Sequence, residues 1–130
     1  MPPEAPPLTR EQIRNIAYAF QESRILLTAY ELGLFTALGN GRHTSAGIAS
    51  MIGTDPRATD RLMNALCAMG LLKKESGRFS NSPAARDCLM RDSPGYLGGL
   101  MHTVHLWDTW TNLTEAVRGA RISGTAGSGL

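Results

Sequence analysis

A chain of 130 residues with a net charge of +2 fits one domain and leaves little room for a second. Its 42% apolar and 18% charged residues are ordinary for a globular protein that buries a core without a metal or disulfide staple. So small a charge excess gives no support to nucleic-acid binding, and no apolar run approaches the roughly 18–20 residues that span a bilayer.

The N-terminus, MPPEAPP, lacks the basic-then-apolar pattern of a secretory signal, so residues 1–8 are expected to be disordered in a soluble, cytoplasmic protein. Thr9 and Gln12 then have capping-box spacing, with Leu8 and Ile13 placed for a hydrophobic staple. Ile13, Ile16, Ala17 and Phe20 follow at helical spacing on an otherwise polar helix. Residues 25–38 (ILLTAYELGLFTAL) are apolar nearly all round and read as a central core helix, closed by Gly39-Asn40-Gly41.

Thr44 caps a short helix over residues 45–52, ended by Gly53. Asp55-Pro56 opens the next, with Leu62, Met63, Leu66, Cys67 and Met69 on its buried face and Gly70 at its end. Residues 71–75 and 78–81 read as two strands around a Ser76-Gly77 turn. Ser82-Pro83 starts a helix reaching about Met90, and Ser93-Pro94 starts a last long one reaching about Val117. That last helix carries two apolar stripes: Leu97, Leu100, Met101, Val104 and Trp107, and then Leu106, Trp110, Leu113 and Val117. One domain seldom covers two faces of a surface helix, so the excess predicts a partner. After Arg118 periodicity is lost, and residues 120–130 read as a flexible tail.

In order, these elements spell a mainly α fold: a winged helix-turn-helix over residues 9–119, with additional N- and C-terminal helices and one short β-hairpin. The fold carries no function by itself. As a DNA-binding regulator it would place the helix from Arg57 to Met69 in the major groove, showing Arg57, Arg61, Asn64 and Ala68. From Asp55 to Arg78 five basic residues face three acidic ones, which offers few phosphate contacts. Two free, half-buried thiols, Cys67 and Cys88, match no zinc or redox pattern. His102 and His105 lie at i, i+3 with Asp108 a turn beyond, but no fourth ligand is evident and no metal is expected.

Four phrases in order sharpen this: residues 25–38, residues 61–72 (RLMNALCAMGLL), residues 79–85 (FSNSPAA) and residues 107–119 (WDTWTNLTEAVRG). Together they resemble the N-terminal domain of S-adenosylmethionine-dependent O-methyltransferases, the group of plant caffeate and flavonoid enzymes and bacterial polyketide and carotenoid tailoring enzymes. The resemblance covers roughly residues 10–119. It implies a winged-helix dimerisation domain that exchanges helices with its twin and walls part of the pocket for a small aromatic or polyketide-like acceptor.

On that reading Ile13, Ile16, Phe20, Leu106, Trp110, Leu113 and Val117 form the dimer or domain interface, and His102, His105 and Trp107 line the acceptor pocket. The homodimer would form through the terminal helices, with no part for nucleic acid or membrane. The resemblance also implies that S-adenosylmethionine and the catalytic base belong to a C-terminal Rossmann-like domain. The glycine-rich residues 124–129 follow no strand and have no acidic neighbour, so they do not form such a cofactor site. The chain is thus expected to contain no catalytic, cofactor-binding or metal residues and to be inactive alone, as the front part of an enzyme or as a stand-alone partner of a separate methyltransferase.

Overall fold

The computed structural model describes residues 5–119, so the expected disorder of residues 1–4 and the tail over residues 120–130 lie outside the described part. Seven helices and one hairpin are seen there: α1 (Arg10–Glu31), α2 (Leu34–Leu38), α3 (Ser45–Ile52), α4 (Pro56–Ala68), β1 (Leu72–Glu75), β2 (Arg78–Asn81), α5 (Pro83–Cys88), α6 (Leu100–Thr111) and α7 (Leu113–Val117). This is the mainly helical, winged arrangement that the sequence predicts.

The start signals act as anticipated. The Thr9 hydroxyl accepts from the Gln12 amide while the Gln12 side chain accepts from the Thr9 amide, a complete capping box. Thr44, Asp55 and Ser82 each accept from a backbone N–H three residues on. Ser76 and Gly77 both have positive φ, 50° and 74°, the paired left-handed geometry of a tight two-residue hairpin turn.

Two helices differ from the expected boundaries. Residues 25–38 are not one helix: α1 runs unbroken from Arg10 through Glu31, and the chain turns at Gly33, whose φ of 71° favours glycine, before resuming as α2. The last helix does not begin at Ser93-Pro94. The chain makes turns up to Gly99, held by Ser93 Oγ donating to the Asp87 carbonyl at 2.7 Å and the Leu97 amide donating to the Cys88 carbonyl at 2.8 Å. The chain packs so tightly here that a Cβ on Gly95 would lie 2.7 Å from the Asp87 carbonyl oxygen. The long helix is also broken at Asn112, whose amide donates to the Asp108 carbonyl, so Leu113 and Val117 belong to a separate α7.

The core gathers Ala29 and Tyr30 of α1, all three large residues of α2 (Leu34, Phe35, Leu38), Ile48 of α3, Met63 and Leu66 of α4, Leu72 and Phe79 of the hairpin, and Ala85 and Leu89 around α5. Of the residues expected on the buried face of α4, Leu62, Cys67 and the C-cap Met69 are only half-buried. The hairpin is sewn to the helices twice. His43 and Phe79 exchange backbone hydrogen bonds at 3.0 and 2.7 Å, a third strand reduced to one bridge. The fully buried Asn81 amide donates to the carbonyls of Phe35 and Gly39 at 2.9 and 3.0 Å, satisfying the end of α2.

Candidate functional site

The core uses only the last third of α1. Every residue from 10 to 23 is exposed, so about four turns of helix stand clear of the winged body. Ile13, Ile16, Phe20 and Leu27 fall on one face of α1 at spacings of three, four and seven. That face is covered by α6 only where it nears the core; Ile16 remains 67% and Phe20 55% exposed.

The two helices are antiparallel. Going back along α1 from Tyr30 through Arg24 to Phe20, the neighbours run forward from Leu97, just before α6, through Trp107 to Trp110 on it. Between them lies a groove of about 520 Å³ lined by Phe20, Ser23, Leu27, Thr103, Trp107, Trp110 and Thr111. The Arg24 guanidinium lies 5.2 Å above the Trp107 ring, while its Nε donates to Thr28 Oγ1 and one Nη to the Glu31 carboxylate. A cation therefore stacks on one wall residue of a largely apolar trough.

The 12-residue helix α6 contains two tryptophans, two leucines, a valine and a methionine, yet none of its residues is buried. Leu106 is half-buried, Leu113 and Trp110 are exposed, and Val117 is 79% exposed. Of the three residues expected at an acceptor pocket, Trp107 lines the groove, whereas His102 and His105 are exposed and do not line it. Of the seven residues expected at an interface, Phe20 and Trp110 both line the groove, and Ile13, Ile16, Leu113 and Val117 are exposed on α1 and α7. Among the described residues no three His, Cys, Asp or Glu side chains gather to hold a metal.

Arg24 escapes a reading based on apolar periodicity. It sits four residues after Phe20 and three before Leu27, beside the stripe, but its charge reads as solvent-facing. Tyr30 is missed for a different reason: it reads as core, and the bond from its hydroxyl to the Leu97 carbonyl, at 3.0 Å, spans 67 residues of sequence.

Burial pushes the Tyr30 phenol up to about 12, with Tyr96 reinforcing the shift and Arg91 opposing it. Unfolded, the phenol ionises near about 10, so its contribution to stability is complete below that pH and is lost as pH rises towards 12. Melting temperatures measured from pH 9 to 12 should fall more steeply for the native chain than for Tyr30→Phe; parallel curves would show that the phenol stays neutral in neither state or in both.

Part of the polar face of α4 is internally hydrogen-bonded. On α4, the Asn64 amide donates to both the carbonyl and the carboxylate of Asp60, Lys74 Nζ donates to Asn64 Oδ1 at 3.1 Å, and Ser45 donates to Asp60 at 2.7 Å. Burial raises the Cys67 thiol, with Lys74 opposing, which keeps it protonated and poorly nucleophilic.

A winged body with an apolar two-helix flange is the build of an association module, and comparison with known proteins agrees. The chain belongs to the O-methyltransferase dimerisation domain family, which it matches over residues 15–91. It is 38% identical over 109 residues to the tetracenomycin polyketide synthesis 8-O-methyl transferase TcmO of Streptomyces glaucescens, covering 82% of this chain and 32% of that protein. It is 32% identical over 129 residues to the N,N-dimethyltransferase OxyT of Streptomyces rimosus, covering 98% and 36% respectively. The solved structure of PigF with SAH superposes with a TM-score of 0.77 at 33% identity, covering 87% of this chain and 34% of PigF. The chain thus spans about a third of the length of these relatives.

Proposed function

We propose that this chain pairs two copies of an S-adenosylmethionine-dependent methyltransferase that acts on a small aromatic or polyketide-like molecule in the cytoplasm. The carrying observation is the exposed apolar face running from Ile13 through Phe20 of α1 to Trp110 and Val117 of α6 and α7. A homodimer formed through these terminal helices would bury Ile13, Ile16, Phe20, Leu106, Trp110, Leu113 and Val117. Exposed apolar patches of this extent mark association surfaces on soluble proteins.

In the paired enzyme α6 would wall the acceptor pocket with His102, His105 and Trp107, while S-adenosylmethionine and the catalytic base would belong to a Rossmann-like domain outside residues 9–119. Relatives carry names of both oxygen and nitrogen methylation, and this scaffold is compatible with either acceptor atom. Of the residues that α4 would show to DNA, Asn64 is already engaged with Asp60 and Lys74, which counts against base readout through it.

Hydrogen–deuterium exchange at two protein concentrations locates the interface. Amides of residues 10–23 and of α6 should gain protection as concentration rises, while those of α3 and α4 stay unchanged. Protection appearing on α4 and the hairpin instead would move the interface to the winged face and contradict the proposal.

A further inference from the structure

Helix α6 is attached to the body by a weak root. None of its residues is buried, its N-cap is Gly99, and no side chain caps its first turn. The preceding link, residues 91–99, is tied to Thr36, Asp87 and Cys88, and Tyr30 holds its last part, Tyr96 to Gly98. The ring of Tyr30 is part of the core and stacks on the Tyr96 ring with centroids 5.7 Å apart and planes 6° from parallel. Its hydroxyl lies 3.0 Å from the Leu97 carbonyl oxygen and 3.3 Å from that of Gly98, so a single O–H is shared between two acceptors just before α6 begins. A phenylalanine would fill the core equally well; the hydroxyl adds only this reach to the root of α6.

We propose that Tyr30 is a positioning residue: its stacked ring and hydroxyl latch the root of α6 and thereby set where α6 stands when a second copy docks. The proposal rests on the dimer reading above. Every interface and pocket-wall residue assigned to α6 inherits its position from this root and from Leu100, which packs against the core; further along, the helix lies beside α1 through the Arg24–Trp107 stack and the open groove. A hydrogen bond fastens the root more sharply than the apolar contact can, because the groove side is open to sliding and the carbonyls are fixed in direction.

The test uses the two tryptophans, Trp107 and Trp110, which both belong to α6 and are the only ones in the sequence. Iodide quenching of their emission is measured for the native chain and Tyr30→Phe across a concentration range that spans dimer formation. Loss of the hydroxyl bond should open the α6 root about tenfold more often. Quenching should therefore rise at the dilute end, and dimer dissociation should strengthen by about 10–100-fold, since a two-fold interface uses α6 twice. Thermal melting monitored by helix content should hardly move, because the ring still fills the core.

A second variant separates positioning from packing. Gly99 has an ordinary φ of −68° and open space where a Cβ would stand, so Gly99→Ala stiffens the root without a clash. Added to Tyr30→Phe it should restore part of the native quenching curve. Identical quenching for the native chain and Tyr30→Phe overturns the latch. A native chain that remains monomeric throughout overturns the dimer reading instead, while the dilute-end comparison still decides the latch.

Discussion

Replacing Ile16 and Phe20 together by aspartate is expected to turn the dimer into a folded monomer. Each apolar side chain contributes about 1.5–3 kcal/mol when buried. A two-fold interface presents each residue twice, so four such side chains are lost per dimer. Allowing for the part of this that never converts to affinity, dissociation should strengthen by at least about 10⁴-fold. The monomer should remain folded, because Ile16 and Phe20 are 67% and 55% exposed in the single chain and contribute little to its core. Sedimentation velocity together with thermal melting reads both halves. A variant that stays dimeric would place the interface elsewhere; one that unfolds would show that the N-terminal part of α1 is needed by its own core.

Phe79→Ala should be the costliest single change among residues of the hairpin. The Phe79 ring is 1% exposed, lies within the core cluster and supports Lys74, whose Nζ stands 4.9 Å above it. Emptying such a site costs about 3–5 kcal/mol, a large share of the roughly 5–15 kcal/mol that holds a domain folded. Arg78→Ala, on the neighbouring exposed position, should change stability by less than about 0.5 kcal/mol. Urea unfolding of the two variants makes the comparison. This contrast expresses the role assigned to the hairpin: a strut pinned by Leu72, Phe79 and Asn81, with its charges solvated around the turn. A loss below about 1 kcal/mol for Phe79→Ala would mean that the hairpin is loosely attached and free to serve a ligand.

The winged body was legible in the sequence because its signals are local. Thr9 with Gln12, Thr44, Asp55-Pro56 and Ser82-Pro83 each satisfy the backbone donors of their own first turn, and Ser76-Gly77 supplies the two left-handed residues of its own hairpin. The break at Gly33 was hidden because the chain is apolar on both sides of it: Tyr30 and Leu34 both enter the core, so hydrophobicity does not fall where the helix ends. Ser93-Pro94 misleads for the opposite reason. It has the form of a helix start, but Ser93 Oγ donates to Asp87, Tyr96 stacks on Tyr30 and Leu97 bonds to Cys88, and these distant partners keep the segment in turns.

The flange was half legible. The apolar stripes of the last helix predict a partner, and the structure shows that Ile16, Phe20, Trp110 and Val117 are left bare by their own chain. Which residues of α1 and α6 face each other was not readable, since their meeting depends on the antiparallel return of the chain across about 70 residues. Arg24 stacked over Trp107 and Tyr30 bonded to Leu97 are products of that return.

Sedimentation equilibrium of this chain at micromolar concentration tests the central claim most directly. The account predicts twice the mass of the 130-residue chain, with dissociation on Ile16→Asp, Phe20→Asp substitution. A well-folded species of single-chain mass across that range would contradict it.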